Sequence, residues 1–221
     1  MKPTSEKHAP TRILMRAAPS KGRWELWNDW ITFAACTFAL AGGDQPEARA
    51  EEMRQIVERY KPEEIAELDR AFSAYIDEID GEPFQDYLGQ LYMEMDFGQS
   101  EIGQFFTPFH LARFMSSLTE KSLGAEIEEN GWTSVYDPAC GGGATLIAAA
   151  GEIHKAGYNP QATAWFEGQD LSRLTALMCY VQLCALGLPG RVRIGDTLRM
   201  TEQDCFTTPA GMQPLWRWRV P

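Results

Sequence analysis

The sequence is poor in histidine, with three in 221 residues, and none of its five cysteines forms a CxxC pair or lies at zinc spacing from a histidine. A histidine-based metal site or catalytic triad is therefore not the leading hypothesis, and we predict no metal. An odd number of cysteines without a secretion signal is typical of reduced thiols in a cytoplasm. No apolar run reaches the roughly 20 residues that span a bilayer, so we expect neither a membrane protein nor a secreted one.

Negative charge dominates, with 31 acidic against 20 basic side chains and a formal charge of -11. The excess lies in residues 44–130, which carry -14, whereas residues 1–43 carry +3 and residues 131–221 are neutral. Solvated helix faces are the ordinary explanation of such a region. Because Lys and Arg supply most of the non-specific affinity for DNA phosphates, a contact with nucleic acid would use the two ends of the chain or a partner protein.

Four segments follow from the patterning. Residues 1–20, rich in Pro, Ser, Lys and Arg, are predicted to be a mobile basic arm, and residues 21–130 a helical amino-terminal region. Residues 131–200 alternate strand and helix patterns, which predicts a parallel sheet with right-handed crossovers, and residues 201–221 form a Trp/Arg tail. The predicted helices span residues 24–40, 44–60, 62–79, 84–95, 108–118, 144–155 and 172–186. The predicted strands span residues 133–136, 163–166 and 192–194.

A glycine-rich loop, Asp137 to Gly143, follows the first predicted strand and precedes a predicted helix. Three glycines allow close approach of a ligand, and the helix N-terminus supplies N–H groups and a positive dipole end. No Lys-Ser or Lys-Thr follows, which excludes a triphosphate P-loop, and Leu146 at the third glycine position argues against NAD or FAD. An acidic residue four positions before the first glycine fits a ligand with an amino group and a ribose. The alternative is a plain connecting turn.

Two further aspartates end predicted strands and have two interpretations each. Asp170 can accept both ribose hydroxyls of an adenosine, or it can be an ordinary aspartate at a helix N-terminus. Asp196 can accept from an adenine amino group, or it can be an ordinary turn aspartate. The residues themselves leave both pairs of alternatives open.

Several stretches resemble the adenine-specific DNA methyltransferases, especially the modification subunits of type I restriction systems. The similarity covers roughly residues 84–198 and is carried by Asp86-Tyr87-Leu88-Gly89 with Tyr92-Met93, Gly103-Gln104-Phe105-Phe106-Thr107-Pro108, Asp137-Pro138-Ala139-Cys140-Gly141-Gly142-Gly143, Gly168-Gln169-Asp170 and Gly195-Asp196-Thr197-Leu198. The second resembles the family's GQFFTP segment and the third its DPACGSG loop, with Gly142 where Ser is common. Asp170 stands where the family usually has Glu.

The resemblance implies an α/β fold: a partial S-adenosylmethionine-dependent methyltransferase (Rossmann-like) parallel sheet preceded by an α-helical amino-terminal region. It implies S-adenosylmethionine as cofactor and DNA as substrate. The implied cofactor-binding residues are Phe106, Thr107, Pro108, Asp137, Pro138, Ala139, Cys140, Gly141, Gly143, Asp170 and Asp196. Without the resemblance, the GQFFTP segment is also explained as a hydrophobic cap before the helix that begins at Pro108.

The family's base-holding motif, (N/D/S)PP(Y/F), is not found in the sequence, so no catalytic residue is assigned. One hypothesis is adenine-N6 methyl transfer that needs a partner subunit, in a homo- or hetero-oligomer. A second is a catalytically deficient cofactor-binding partner or regulator of a modification complex. A third, weaker one is methylation of a small molecule or protein.

The tail alternates Trp216, Trp218 and Val220 with Arg217 and Arg219. This period of two indicates a half-buried strand. We expect it to cover the open edge of a three-stranded sheet or to dock on a second subunit, because unpaired edges invite pairing. Stacking of the two tryptophans on bases is the alternative.

Overall fold

The computed structural model describes residues 8–95 and 107–220. Its eleven described helices are α1 (Ala9–Ala17), α2 (Arg23–Gly42), α3 (Pro46–Val57), α4 (Pro62–Gly81), α5 (Tyr87–Glu94), α6 (Phe109–Ser117), α7 (Glu120–Asn130), α8 (Ala144–Lys155), α9 (Pro160–Thr163), α10 (Arg173–Ala185) and α11 (Pro214–Arg219). Its four described strands are β1 (Thr133–Asp137), β2 (Ala164–Asp170), β3 (Gly190–Ile194) and β4 (Asp204–Thr207). The predicted order, helices first and then alternating strands and helices, is confirmed, and the fold is mixed α/β.

The four strands form one sheet in the order β1-β2-β3-β4. The first three are parallel, as predicted, with Val135 beside Phe166 and Gly168 beside Val192. β4 runs antiparallel to β3 and places Phe206 beside Val192. The prediction of a parallel sheet is therefore wrong at this strand, which also lies beyond the predicted sheet segment of residues 131–200. The connection from β3 to β4 is short, and a short connection can join neighbouring strands only when they are antiparallel.

One face of the sheet is apolar and covered by helices. Phe166, Val192 and Phe206 are almost completely buried on this face. α8 packs across β1 and β2, and α10 packs across β2 and β3. α2 packs on α10, and every residue of α10 from Leu174 to Cys184 is buried. This packing holds the parallel strands, whose carboxyl ends carry the loops described below.

The amino-terminal helices share an aromatic core. Trp27 and Trp30 are buried on α2, and their rings lie 6.0 Å from Tyr92 and 6.3 Å from Tyr75, respectively. α1 packs on α4 and buries Leu14 completely. The mobile arm predicted over residues 1–20 is thus wrong for α1, because its apolar residues pack on the helices that follow.

The tail is a helix, not the strand predicted from its alternation. α11 buries Trp216, whose ring lies 6.1 Å from that of Trp132 and 5.9 Å from that of Trp165. Trp218 is 91% exposed. A helix of six residues buries only one of two tryptophans spaced two apart, because they point to different sides.

Within residues 8–95 and 107–220, no helix combines the length and apolarity that crossing a membrane requires.

Candidate functional site

The glycine loop lies between the carboxyl end of β1 and the amino end of α8. Gly141 and Gly143 have positive φ angles of 52° and 96°, and Gly143 donates a turn hydrogen bond to the Cys140 carbonyl at 2.8 Å. A Cβ at Gly143 would lie 2.9 Å from the Cys179 Sγ atom. Glycine is therefore required at Gly143 both by the backbone conformation and by the closeness of α10.

The Asp137 carboxylate is held in place from both ends of the loop. Its Oδ1 atom accepts a hydrogen bond from the Ala139 N–H at 2.9 Å, and its Oδ2 atom accepts from the Thr145 hydroxyl. Thr145 lies in the first turn of α8, where helical N–H groups have no partner within the helix. The carboxylate and these N–H groups are thus brought to the same end of the sheet.

The Asp170 carboxylate connects the glycine loop to α10. Its Oδ2 atom accepts from the Gly141 N–H at 2.8 Å, and its Oδ1 atom accepts from the Ser172 N–H at 2.8 Å and the Thr175 hydroxyl at 3.1 Å. Asp170 therefore ends β2 and accepts hydrogen bonds from the residues that open α10, as an aspartate near a helix N-terminus does, and it also holds the glycine loop. A carboxylate has about four acceptor positions. Among the described donors, these three leave room on Oδ2 for one more.

These residues surround a cleft of about 190 Å³. It is lined by Thr107, Asp137, Ala139, Cys140, Gly141, Gly142, Ala144, Thr145, Asp170 and Thr175. Six of the eleven predicted cofactor residues are in this set. The cleft is consistent with the location at which open α/β sheets bind ligands, outside the carboxyl ends of their strands.

The other predicted residues that the structure describes are not in this cleft lining. Pro108 lines a neighbouring cavity of about 520 Å³, which it shares with Thr107, and Phe106 lies outside the described residues. The Pro138 carbonyl accepts from the Thr197 hydroxyl at 2.6 Å. Gly143 is the N-cap residue of α8 and is not among the residues that line the cleft.

Asp196 occupies the turn that follows β3. Its Oδ1 atom accepts from the N–H groups of Leu198 and Arg199, at 3.0 and 3.1 Å. Its Oδ2 atom lies 3.6 Å from the Arg199 Nε atom. These contacts are those of a turn aspartate, and its proposed contact with adenine stays a prediction.

A buried polar bridge supports the loop from behind. The Gln182 Nε2 atom on α10 donates to the Gly142 carbonyl and to Asp86 Oδ1, both at 2.8 Å. The Gln182 Oε1 atom accepts from the Leu88 N–H at 3.1 Å. Burial raises the pKa of the Asp86 carboxyl above its ordinary value, and the hydrogen bonds from Gln182 and Gly89 offset only part of that rise. Gln182 therefore links the start of α5 to the glycine loop by hydrogen bonds.

The Cys179 thiol, which lies against Gly143 of the loop, is not poised for nucleophilic chemistry. A hydrogen bond with the Cys140 thiol, together with burial, raises the pKa of Cys179 well above its ordinary value. Both side chains are buried. Since the thiolate is the reactive form, the Cys179 thiol serves packing and not covalent catalysis.

Sequence reasoning missed Thr145, Thr175 and Gln182. The two threonines lie in the first turns of α8 and α10, the helices that follow the strand-ending aspartates Asp137 and Asp170, and a hydroxyl residue at the start of such a helix is the signal that could have found them. Gln182 gave no signal beyond its polarity in an apolar helix, because its partners lie far from it in the chain, at the start of α5 and in the glycine loop.

Comparison with known protein families gives one match. A family model described as N-6 DNA Methylase matches residues 85–212, more than half of the chain. The matched range begins at the start of the α5 region and includes the glycine loop and every predicted site residue. No curated protein and no solved structure matches significantly.

Proposed function

Because the chain belongs to the N-6 DNA methylase family, we propose that it binds S-adenosylmethionine in the glycine-loop cleft and serves methyl transfer to the N6 atom of adenine in DNA. The sheet is then a partial Rossmann-like methyltransferase core. The observation that carries the proposal is the convergence of Asp137, Asp170 and the first turn of α8 on one cleft inside the matched range.

The donors and acceptors around the cleft suit this cofactor. The free acceptor position on Asp170 fits a ribose hydroxyl, and Asp137 fits the methionine amino group. The N–H groups at the start of α8 and the Thr107 hydroxyl, which lies in the cleft lining, fit the methionine carboxylate. The positive end of the α8 dipole also favours that anion.

The cofactor supplies an electrophilic methyl group on a sulfonium, and the chain's task is to orient it. Bound there, the cofactor would give its methyl group to the adenine nitrogen as the S–CH3 bond breaks, leaving the neutral thioether S-adenosylhomocysteine, and the nitrogen would lose one proton to solvent, so no strong base is needed before attack. Positioning therefore accounts for most of the rate enhancement. The loop hydrogen bonds to Asp137 and Asp170 serve this task because they fix the cleft before the cofactor binds.

A partner protein completes the site in this proposal. The sequence contains no Pro-Pro pair, so it offers no (N/D/S)PP(Y/F) segment to hold a base flipped out of the duplex. Its formal charge of -11 also disfavours independent binding to DNA. The same two observations favour the alternative, a cofactor-binding regulator of a modification complex that transfers no methyl group itself.

Calorimetry and a methyl-transfer assay separate these functions. S-adenosylmethionine should bind the wild-type chain, and Gly141→Val should abolish binding because Gly141 lines the cleft at a positive φ of 52° that valine rarely adopts. Glu202→Gln, at an exposed carboxylate outside the cleft, should bind as wild type does. Absence of binding to the wild-type chain would overturn both functions.

Tritiated methyl transfer to adenine-containing DNA then decides between them. Transfer by the chain, alone or with a modification-complex subunit, supports the enzyme, provided that Gly141→Val abolishes it. Cofactor binding without transfer under either condition supports the regulator.

A further inference from the structure

A second cavity lies at the opposite ends of the two helices that frame the glycine-loop cleft. The cleft is lined by Thr145 and Thr175, in the first turns of α8 and α10. The second cavity is lined by His154 and Cys184, in the last turns of the same helices, and we call it the helix-end cavity. Its volume of about 460 Å³ is in the ordinary range of small-molecule sites. α8 has 12 residues, so the two sites lie about 18 Å apart along its axis.

The helix-end cavity collects the negative ends of three helix dipoles. Besides α8 and α10, α4 ends there, and Asp80 in its last turn lines the cavity. The carboxyl end of a helix favours a cation, and α4 and α10 have no basic residue in their last turns. On α8 the amine of Lys155 is paired with the carboxylate of Glu152. The three helix ends together therefore favour a positively charged ligand.

Asp80 adds a full negative charge to this end of α4. Its side chain is exposed, and a carboxylate in the last turn of a helix is disfavoured by the helix dipole. The preceding turn is also acidic, with Asp77 and with Glu78, whose carboxylate accepts from the His8 ring at 2.8 Å. A cation bound at Asp80 would offset both the dipole and this local charge.

A strained residue supplies an aromatic wall of the cavity. Phe84 has a φ of 62°, a left-handed conformation that residues other than glycine seldom adopt. Its ring lies 5.3 Å from that of His154, and a Cβ at Gly151 of α8 would lie 3.3 Å from the Phe84 Cβ atom. Backbone strain of this kind is retained where the surroundings impose it, often at ligand sites. The face of such a ring attracts a cation placed within about 6 Å of its centroid.

The rest of the lining suits a ligand that also has an apolar part and N–H donors. Ile79 and Leu186 supply buried apolar surface. The Gln161 Nε2 atom donates to the Leu186 carbonyl at 2.9 Å, so its Oε1 atom is left as an acceptor. Burial raises the pKa of the Cys184 thiol well above its ordinary value, so this thiol stays neutral and adds no charge.

We propose that the helix-end cavity binds a small organic cation, namely an amidinium, guanidinium or amine attached to a compact apolar group. The charged N–H groups bind the Asp80 carboxylate, and the apolar group packs against Phe84 and Ile79. The site shares no lining residue with the glycine-loop cleft. Its failure in the test below would therefore leave the proposal for S-adenosylmethionine intact.

Calorimetric titration of the full chain with benzamidine is the test, because this probe joins a planar amidinium to an aromatic ring. We expect saturable binding that is roughly tenfold or more tighter than that of benzamide, the neutral analogue of nearly the same shape. Benzoate, the anionic analogue, should not bind.

Two matched variants locate the probe. Asp80→Asn should weaken benzamidine binding roughly tenfold, because it removes the carboxylate and keeps the size of the side chain. Asp69→Asn removes the same charge from an exposed position earlier on α4, outside the cavity lining, and should bind benzamidine as the wild-type chain does. Phe84→Gly removes the ring, is compatible with the positive φ, and should also weaken binding.

Four results would overturn the inference. Benzamidine shows no saturable binding, benzamide binds as tightly as benzamidine, Asp80→Asn retains the affinity of Asp69→Asn, or Phe84→Gly retains that of the wild-type chain. Thermal unfolding near the wild-type midpoint shows that each variant is folded. Because Asp80 and Asp69 are both exposed, we expect both asparagine variants to meet this condition.

Discussion

Gln182 on α10 donates a hydrogen bond to the carboxylate of Asp86, 96 positions earlier in the chain, at 2.8 Å. The same Gln182 nitrogen donates to the glycine loop at Gly142. The position of the loop therefore depends on an amide that lies outside the cleft and touches no predicted cofactor residue directly. Substitutions at Gln182 therefore test the hydrogen bonds that hold the glycine loop, separately from the residues that line the cleft.

Gln182→Glu should destabilise the protein strongly while preserving side-chain shape. The substitution replaces the donor by an acceptor that faces two other acceptors, the Asp86 carboxylate and the Gly142 carbonyl. Unsatisfied buried groups of this kind lower the free energy of unfolding by about 3 kcal/mol. Urea denaturation measures the loss. Adding Asp86→Asn supplies a new donor and should restore part of the stability, and an unchanged midpoint in Gln182→Glu would contradict the role of the bridge.

The pH dependence of Asp86→Asn should report the buried carboxyl. Burial raises the pKa of Asp86, so the ionised form is disfavoured in the folded state. Its contribution to stability is complete below the ordinary Asp pKa of about 4 and is lost as pH rises through the raised folded value. The amide imitates the neutral acid at every pH.

The wild-type chain should therefore gain stability relative to Asp86→Asn as pH falls from neutrality toward 4. Paired denaturation curves across that range measure the difference. If this stability difference were constant with pH, or if the wild-type chain lost stability relative to Asp86→Asn as pH falls, then ionised Asp86 would not destabilise the folded protein.

The sequence predicted those parts of the fold that depend on neighbouring residues. The strand, glycine loop and helix from Thr133 to Lys155 are encoded locally, by apolar runs and by glycines at fixed positions. β4 was missed because its four residues bury one apolar side chain, Phe206, and its pairing with β3 is a tertiary contact. The Trp216 and Trp218 alternation predicted a strand, but burial of one ring between Trp132 and Trp165 determines the helix.

The candidate site also has residues that the sequence predicted and residues that it did not. The carboxylates of Asp137 and Asp170 were predicted because each ends a strand at the same edge of the sheet. Their partners Thr145 and Thr175 depend on where the first turn of each following helix lies, which the sequence alone fixes less sharply. The Gln182 bridge depends on the packing of α10 against α5 and was beyond local reasoning.

Gly143→Ala should destabilise the glycine loop more than an equivalent change at an open glycine. The new Cβ would lie 2.9 Å from the Cys179 Sγ atom and 3.2 Å from its Cα atom, at a φ of 96°. Backbone strain and the clash together should lower the free energy of unfolding by about 3 kcal/mol. Gly131→Ala is the control, because Gly131 also has a positive φ but has no atom within 4 Å of an added Cβ.

In Gly131→Ala we expect only the backbone strain, which should lower the free energy of unfolding by about 1 kcal/mol. Chemical denaturation of the two variants measures the comparison. Equal losses at both positions would contradict close packing of the loop on α10.

Arg49→Gln should destabilise the protein by removing the contact between α3 and β4. The Arg49 guanidinium is buried, bonds both oxygens of Asp204 at 2.7 and 2.9 Å, and lies 3.5 Å above the Phe206 ring. Burial raises the pKa of Asp204, but the hydrogen bond and charge of Arg49 outweigh it and hold that pKa below its ordinary value. Loss of one partner of such a pair costs about 3 kcal/mol at neutral pH.

The stability that Asp204 contributes is present above the ordinary Asp pKa and is lost as pH falls through the lowered folded value. The difference between wild type and Arg49→Gln should therefore shrink in acid. Arg54→Gln is the matched control, since Arg54 pairs with glutamates on the exposed face of the same helix and should not shift the unfolding midpoint. A pH-independent difference for Arg49→Gln would contradict the pairing.

Trp216→Ala should affect the stability of the protein, whereas Trp218→Ala should affect only a contact with nucleic acid. Trp216 is 2% exposed between two other tryptophans, so its removal should lower the free energy of unfolding by about 4 kcal/mol. Trp218→Ala should leave the unfolding midpoint unchanged. If the tail stacks on bases, quenching of tryptophan fluorescence by a single-stranded oligonucleotide should depend on Trp218, because a buried ring cannot stack. Quenching that survives Trp218→Ala would assign the contact elsewhere, and a wild-type midpoint in Trp216→Ala would contradict the packing of α11.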